Sequence, residues 1–389
     1  MRYDDRVERR LRTKEVLTIP TGRSMADEAV RRGAIDLAQG VLHAEPPPVL
    51  LELLAEVSRQ PHAHVYASPR GVPEYLEALA DLLRREGVSA APANILGSSG
   101  NTGGLMAALL AHCNAGDRVL LPEPFYPAHL WAIRAARCEP VFLECTKEFS
   151  PEEDNLRHHL QNVRAAIICN PANPSGAVWP RALLESAIDI ARGKDVLLIV
   201  DETYKDYVWE GSFISPLTLT DDWRGLVVLR SFSKTLAIAG WRAGYTISAP
   251  ERIAAMTHQI HDALYVGAPS LPQLVLTRAL RTHRAELDRF VTENVARYRE
   301  SRTQLADVFH SVGMEPVLPQ GTFYMLVKHN RESDIAATTE LLDAGVAVAP
   351  GQAFFQDPTK PSGTIRIHFA VSPETVEEVR KRLAPLRVG

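Results

Sequence analysis

The chain has 389 residues, 46% of them hydrophobic and 23% charged, with a formal net charge of −4. That length exceeds what one hydrophobic core usually serves, so a large domain with a smaller companion is expected. The weak charge, without long like-charge blocks, argues against a nucleic-acid or anionic-membrane partner, and no apolar run approaches the roughly 18 residues that span a bilayer.

In chain order, residues 1–32 are polar, with a break at Pro20-Thr21-Gly22 and a short helix expected over 24–32. The charged start lacks the apolar stretch of a signal peptide. Residues 35–40 read as a strand ending in a glycine turn at Gly40, ahead of Pro46-Pro47-Pro48. His62 and His64 do not match metal-binding helical spacing and no third ligand stands nearby, so no metal is assigned. Tyr66 opens a loop that reaches Gly71, and 73–86 form an amphipathic helix through Leu76, Leu79, Leu82 and Leu83.

From Asn94 strands alternate with helices. The strands fall at 94–97, 117–121, 140–144, 165–169, 196–200, 226–229 and 244–248, with helices at 105–112 and 126–137 between the first of them. Such alternation predicts an α/β fold with a mostly parallel seven-stranded sheet sandwiched by helices, which binds its ligand at the carboxyl ends of the strands. Past residue 250, Leu287, Phe290, Val291, Val295, Tyr298, Leu305, Val308 and Phe309 recur at helical spacing. Strands at 321–328, 346–349 and 364–369 and a helix at 373–383 follow, as a smaller α+β domain. Cys113, Cys138, Cys145 and Cys169 have no C-x-x-C spacing, which fits reduced thiols in a cytoplasmic protein.

The stretch 231–242, Ser-Phe-Ser-Lys-Thr-Leu-Ala-Ile-Ala-Gly-Trp-Arg, follows an apolar strand and sets one lysine among hydroxyls, with an arginine downstream. These parts can hold an aldehyde cofactor covalently and its phosphate electrostatically, and Lys234 reads as a Schiff-base lysine. Gly100, Asn101 and Thr102 offer backbone N–H groups and a hydroxyl to an anion at a helix start, or simply make a turn. Tyr126, at the end of a strand, either covers a flat ligand or packs. Asn173 lies in the tight loop Asn-Pro-Ala-Asn-Pro-Ser-Gly over 170–176, which also follows a strand. Asp201 ends the apolar run 196–200 and is either a helix cap or the partner of a buried cation such as a pyridinium nitrogen. Tyr204 stands three residues on.

These motifs, with Asp-Glu-Thr-Tyr at 201–204 and Gly-Trp-Arg at 240–242, resemble in order and spacing the fold-type I pyridoxal-5′-phosphate (PLP) enzymes of the class I/II aminotransferase family. The resemblance covers nearly the whole chain. It implies a smaller domain built from both chain termini, with divisions at 1–42, 43–284 and 285–389. It implies that Lys234 carries the cofactor and shuttles the substrate proton, and that Asp201 keeps the ring nitrogen protonated. Asn173 and Tyr204 would then bind the ring's phenolic oxygen, and Tyr126 would stack on the ring. Gly100, Asn101, Thr102, Ser231, Ser233 and Arg242 would form the phosphate cup. A tyrosine at the position of Tyr66 reaches the neighbouring subunit's cofactor in the family, which implies a homodimer with shared sites. Arg366, on an alternating strand with Thr364 and His368, matches the arginine that grips the substrate α-carboxylate, and Gly40 matches a backbone contact to the same group.

Leu37 to Gly40 and the run Pro-Gln-Gly-Thr-Phe-Tyr at 319–324 are similar to the kynurenine and glutamine transaminase branch. Val41-Leu42-His43-Ala44-Glu45 departs from that branch at the substrate entrance. The expected activity is transfer of an amino group between an L-amino acid and a 2-oxo acid. The alternative is a PLP-dependent C–S β-lyase, or a related lyase or oxidative deaminase, acting on a cysteine S-conjugate or specialised metabolite, since the same residues serve both.

Overall fold

The computed structural model describes residues 20–147 and 149–386; the charged arm read ahead of Pro20 lies outside them. The strands in chain order are β1 (Ile35–Asp36), β2 (Ile95–Ser99), β3 (Arg118–Glu123), β4 (Glu139–Glu144), β5 (Ala165–Cys169), β6 (Leu197–Asp201), β7 (Leu226–Ser231) and β8 (Ala243–Ser248). They are followed by β9 (Glu315–Val317), β10 (Tyr324–Lys328), β11 (Val346–Ala347), β12 (Ala349–Pro350) and β13 (Thr364–His368).

The large sheet has seven strands in the order β2-β8-β7-β6-β5-β3-β4, parallel except for β8, which runs antiparallel to both neighbours. Its central strands are apolar on both faces because helices cover both. Ala166, Ile168, Leu198, Val200 and Val228 pack into one core, while Ala165, Ile167, Leu197, Ile199 and Val227 pack into the core on the other side. Burial of each large aliphatic side chain stabilises by about 1.5–3 kcal/mol, so this double-sided sheet is a stiff frame for what stands at its carboxyl edge.

The second sheet is antiparallel, in the order β12-β13-β10-β9. β1 pairs in parallel with β11, Ile35 opposite Val346, so the early chain joins the late chain. Helix Gly22–Arg32 joins it too, packing Met25 and Ala29 against Ala347, Ala349 and Phe354. The 28-residue helix Arg284–Ser311 serves both cores: Leu287 belongs to the large-sheet core, and Tyr298, Leu305, Val308 and Phe309 to the other.

The structure corrects four boundaries. The strand expected over 35–40 stops at Asp36, because Asp36 Oδ1 accepts the N–H groups of Ala38 (2.7 Å) and Gln39 (3.0 Å) and turns the chain. The helix expected from 105 begins at Gly100. Thr322 adopts φ 62°, which ends the extended run, so β10 starts at Tyr324 rather than 321. The strand expected over 346–349 divides into β11 and β12 around Val348.

One feature unread in the sequence is a buried ion network. Arg230, 1% exposed, donates to Glu202 (Nε, 2.7 Å) and to Glu86 (Nη1, 2.5 Å). Lys205 Nζ joins Glu86 (3.1 Å) to Asp206 (2.8 Å). Charges this deep persist only when paired, and here each has a partner.

Candidate active site

Lys234 and Asp201 sit at the carboxyl ends of β7 and β6 of the large sheet, and Arg366 comes to them from β13 of the small sheet. β7 ends at Ser231, whose Oγ accepts the N–H of Ser233 (3.0 Å) and caps the short helix Phe232–Thr235. Lys234 lies in this helix. Its carbonyl accepts from the Tyr207 hydroxyl (2.8 Å), and the next residue, Thr235, donates to Asp206 Oδ2 (2.7 Å), so the lysine's backbone is pinned from two sides. Lys234 Nζ donates to the carbonyl of Gly40 at 2.5 Å. Burial, aided by the charges of Arg366 and Arg242, lowers its pKa from 10.5 to about 8. The amine therefore becomes neutral near pH 8 rather than above pH 10.

Asp201, the last residue of β6, pairs in register with Cys169 of β5 and Leu229 of β7. Burial works against its charge. His129 Nε2 (3.0 Å), the Thr203 hydroxyl (2.6 Å) and Asn101 Nδ2 (2.7 Å) all donate to it and outweigh burial, so its pKa falls below the ordinary value. A buried carboxylate held ionised in this way is suited to face a cationic nitrogen. Asp201 caps no helix, since residues 203–206 form a turn, although its Oδ1 also accepts the Thr203 N–H (3.0 Å) locally.

Gly100 turns the chain from β2 directly into helix Gly100–His112 at φ +66°. A Cβ there would lie 2.6 Å from Arg242 Nη2, so only glycine lets the guanidinium reach the helix's positive end. Arg242, itself at φ 56°, is oriented by a bond from Nη1 to the Ala239 carbonyl (2.8 Å). Ser231 Oγ donates to Ser233 Oγ (2.7 Å) in the neighbouring turn. Helix start, arginine and hydroxyls together make a place for an anion.

Arg366 leaves β13 and is only 4% exposed. Its Nη1 donates to Asn173 Oδ1 (3.0 Å) and its Nη2 to the Ala38 carbonyl, while burial lowers its pKa. Asn173 spends its amide oxygen on this bond, and its Nδ2, like Asn101 Oδ1, is buried with no partner. Tyr204 is buried, its hydroxyl 3.4 Å from that of Tyr324. Gly40 admits Tyr324: a Cβ there would stand 1.8 Å from its hydroxyl oxygen. Tyr126 is 39% exposed and meets His129 edge-on at 5.4 Å. Thr102 is exposed, and Tyr66 is 82% exposed on its loop.

Three residues near the site have no role assigned from the sequence. His129 follows Tyr126 by three positions at a helix start, the spacing that puts two side chains on one face, and that spacing was the available signal. Tyr324 stands in the run 319–324 with no site role, and Phe354 belongs to no motif.

An amine of depressed basicity, an ionised buried carboxylate and an anion cup at the carboxyl edge of this sheet, with a buried arginine reaching in from the small sheet, define a fold-type I PLP-dependent enzyme. The orphaned donor of Asn173 and acceptor of Asn101 are unmet polar groups that a polar ligand would satisfy. The family model for class I and II aminotransferases matches residues 32–383, and the chain belongs to that family. It is 29% identical over 364 residues to the aspartate/prephenate aminotransferase of Thermus thermophilus, spanning 91% of this chain and 92% of the other. It is 32% identical over 326 residues to the valine–pyruvate aminotransferase of Mycobacterium tuberculosis, with 82% of each covered. Among solved structures, the aspartate aminotransferase of Thermus thermophilus with maleate superposes with a TM-score of 0.88 at 27% identity, over 96% of this chain and 98% of that one. The protein is thus a PLP-dependent aminotransferase that moves an amino group between an amino acid and a 2-oxo acid, and the lyase alternative is not favoured. Among the described residues no helix is long and apolar enough to cross a membrane.

Proposed function

We propose the following division of labour among the site residues. The bound cofactor supplies an aldehyde for the amino group and a protonated ring that withdraws electrons from the substrate Cα–H bond. Lys234, with its amine freed at a pKa near 8, accepts the Cα proton. Asp201, kept ionised by His129, Thr203 and Asn101, holds a proton at the facing ring nitrogen. Asn173 Nδ2 and the Tyr204 hydroxyl bind the ring's phenolic oxygen, and Tyr126 covers the ring. Gly100, Asn101, Thr102, Ser231, Ser233 and Arg242 hold the phosphate. Arg366 and the backbone at Gly40 hold the substrate carboxylate.

The observation that carries this assignment is the pairing of Lys234, its Nζ at the Gly40 carbonyl, with an ionised Asp201 at the end of the adjacent strand. Mixing the holoenzyme with single L-amino acids tests it. The cofactor's absorbance should convert to that of pyridoxamine phosphate with one equivalent of oxo acid released, and Lys234→Ala should abolish the conversion. Full conversion by that variant would overturn the role of Lys234.

The working unit in this reading is a cytoplasmic homodimer, with the partner subunit supplying the tyrosine that Tyr66 represents. Support comes from the exposure of Tyr66, Val65, Leu264, Tyr265 and Val266, drawn together where Ser270 Oγ donates to the Val65 carbonyl (3.0 Å). The chain divides at 1–42, 43–284 and 285–389, in line with the pairing of β1 to β11 and the shared helix Arg284–Ser311. Likeness to the kynurenine and glutamine branch rests on 37–40 and 319–324 alone. The relatives above are named for aspartate, prephenate and valine, so the substrate side chain is best set by assay across these classes.

A further inference from the structure

The Arg366 guanidinium lies over two aromatic rings. Its central carbon lies 4.2 Å from the ring centroid of Tyr324 and 4.6 Å from that of Phe354. Tyr324 comes from β10, the neighbour of β13 in the antiparallel sheet. Phe354, 2% exposed, ends the turn Gly351–Phe354 and packs with Met25 and Ala29 of the N-terminal helix. Within the plane, Nη1 is tied to Asn173 and Nη2 to the Ala38 carbonyl, while Nε is buried with no partner. Five N–H groups minus these two bonds leave three donors, all in the guanidinium plane. A carboxylate therefore meets them in that plane, and the two rings help keep water from the buried guanidinium.

Phe354 does a second thing with its backbone. Its carbonyl accepts the N–H of Phe125 at 2.9 Å, one residue before Tyr126. The residue that covers the arginine therefore also ties the segment carrying β12 and β13 to the strand end that carries Tyr126 of the large sheet.

We propose that Phe354 is a positioning residue for the substrate: its ring, together with that of Tyr324, holds the Arg366 guanidinium so that the α-carboxylate docks in its plane, while its carbonyl holds Tyr126 in register with that carboxylate. This rests on the reading of Arg366 as the carboxylate grip. A guanidinium desolvated against two rings gains attraction from each, and loss of one ring also lets water and alternative rotamers compete for the same donors.

The test compares Phe354→Leu, Phe354→Tyr and a full-length holoenzyme carrying 3,5-difluorophenylalanine at 354, which keeps ring shape and weakens its negative face. Steady-state kinetics with an L-amino acid are paired with the dissociation constant of maleate, an unreactive carboxylate, read from the cofactor's absorbance. Phe354→Leu should raise KM and the maleate dissociation constant about 5- to 30-fold, with kcat falling by less than about threefold. Phe354→Tyr should stay within about twofold of the parent, and the fluorinated ring should fall between. Arg366→Met serves as control and should lose carboxylate binding by more than any of them. If that control leaves maleate binding intact, the carboxylate-grip reading itself fails. If the control loses binding while Phe354→Leu and the fluorinated protein match the parent, or if kcat alone falls, the positioning role is wrong. Should Phe354→Leu not fold, the fluorinated protein decides: parental maleate binding refutes the ring's contribution.

Discussion

Replacing Lys234 with methionine should destroy activity yet make the cofactor-free protein more stable at neutral pH. The amine is buried, and the folded state holds it at a pKa of about 8 against the ordinary 10.5. At about 1.4 kcal/mol per pH unit, that interval corresponds to about 3 kcal/mol, the cost of keeping the ammonium charged inside the fold below pH 8. Methionine removes this cost and gives up the bond from Nζ to the Gly40 carbonyl, a loss of about 1 kcal/mol. A net gain of about 2 kcal/mol remains at pH 7. Between pH 8 and 10.5 the unfolded wild-type chain binds more protons than the folded one, so wild-type stability rises with pH through this window and the gap closes. Above 10.5 the amine is neutral in both states, and the wild type should become the more stable by its hydrogen bond. Urea unfolding of both apo proteins at pH 7, 9 and 10.5 reads the effect. A variant less stable than wild type at pH 7, or a gap that does not change with pH, would refute the buried-amine reasoning.

Other expected outcomes test other parts of the site. His129→Phe withdraws one of the donors that hold Asp201 ionised; kcat should fall about tenfold and the acidic limb of its pH profile should move upward, because the Asp201 pKa rises. Gly40→Ala sets a Cβ into Tyr324, at 1.8 Å from its hydroxyl oxygen, and should cost about 1–3 kcal/mol in unfolding while raising KM through displacement of Tyr324 from Arg366. Arg230→Met leaves Glu202 without its buried cation; thermal unfolding should show a loss of about 3–5 kcal/mol, whereas breaking the exposed pair of Arg224 with Asp222 should leave the unfolding transition nearly unchanged.

What could be read from the sequence follows a physical line. Asp201 was legible because it ends an apolar run at the point where a parallel strand must surface, and Lys234 because it stands as a single cation among hydroxyls just past such a strand. The seven strands were legible for the same cause: double-sided burial leaves unbroken runs such as Leu197 to Val200. His129 was not, because a histidine early in a helix has no distinctive neighbours until Asp201 arrives from 72 positions away. Phe354 and Tyr324 carry no charge, so their contact with Arg366 leaves no trace in periodicity. The network of Arg230, Glu202 and Glu86 brings together residues 28 and 144 positions apart, a pairing that local pattern does not encode. Strand ends erred where one side chain rewired the backbone, as Asp36 does after β1.

The most direct test of the central claim is to reduce the PLP-loaded protein with borohydride, digest it and map the pyridoxyl label by mass spectrometry, with a parallel sample first exposed to its best L-amino acid substrate. One label per chain on Lys234 in the first sample, and its loss together with an equivalent of oxo acid in the second, is the predicted result. A label on another lysine, or an amino acid that releases ammonia while Lys234 stays labelled, would contradict the account.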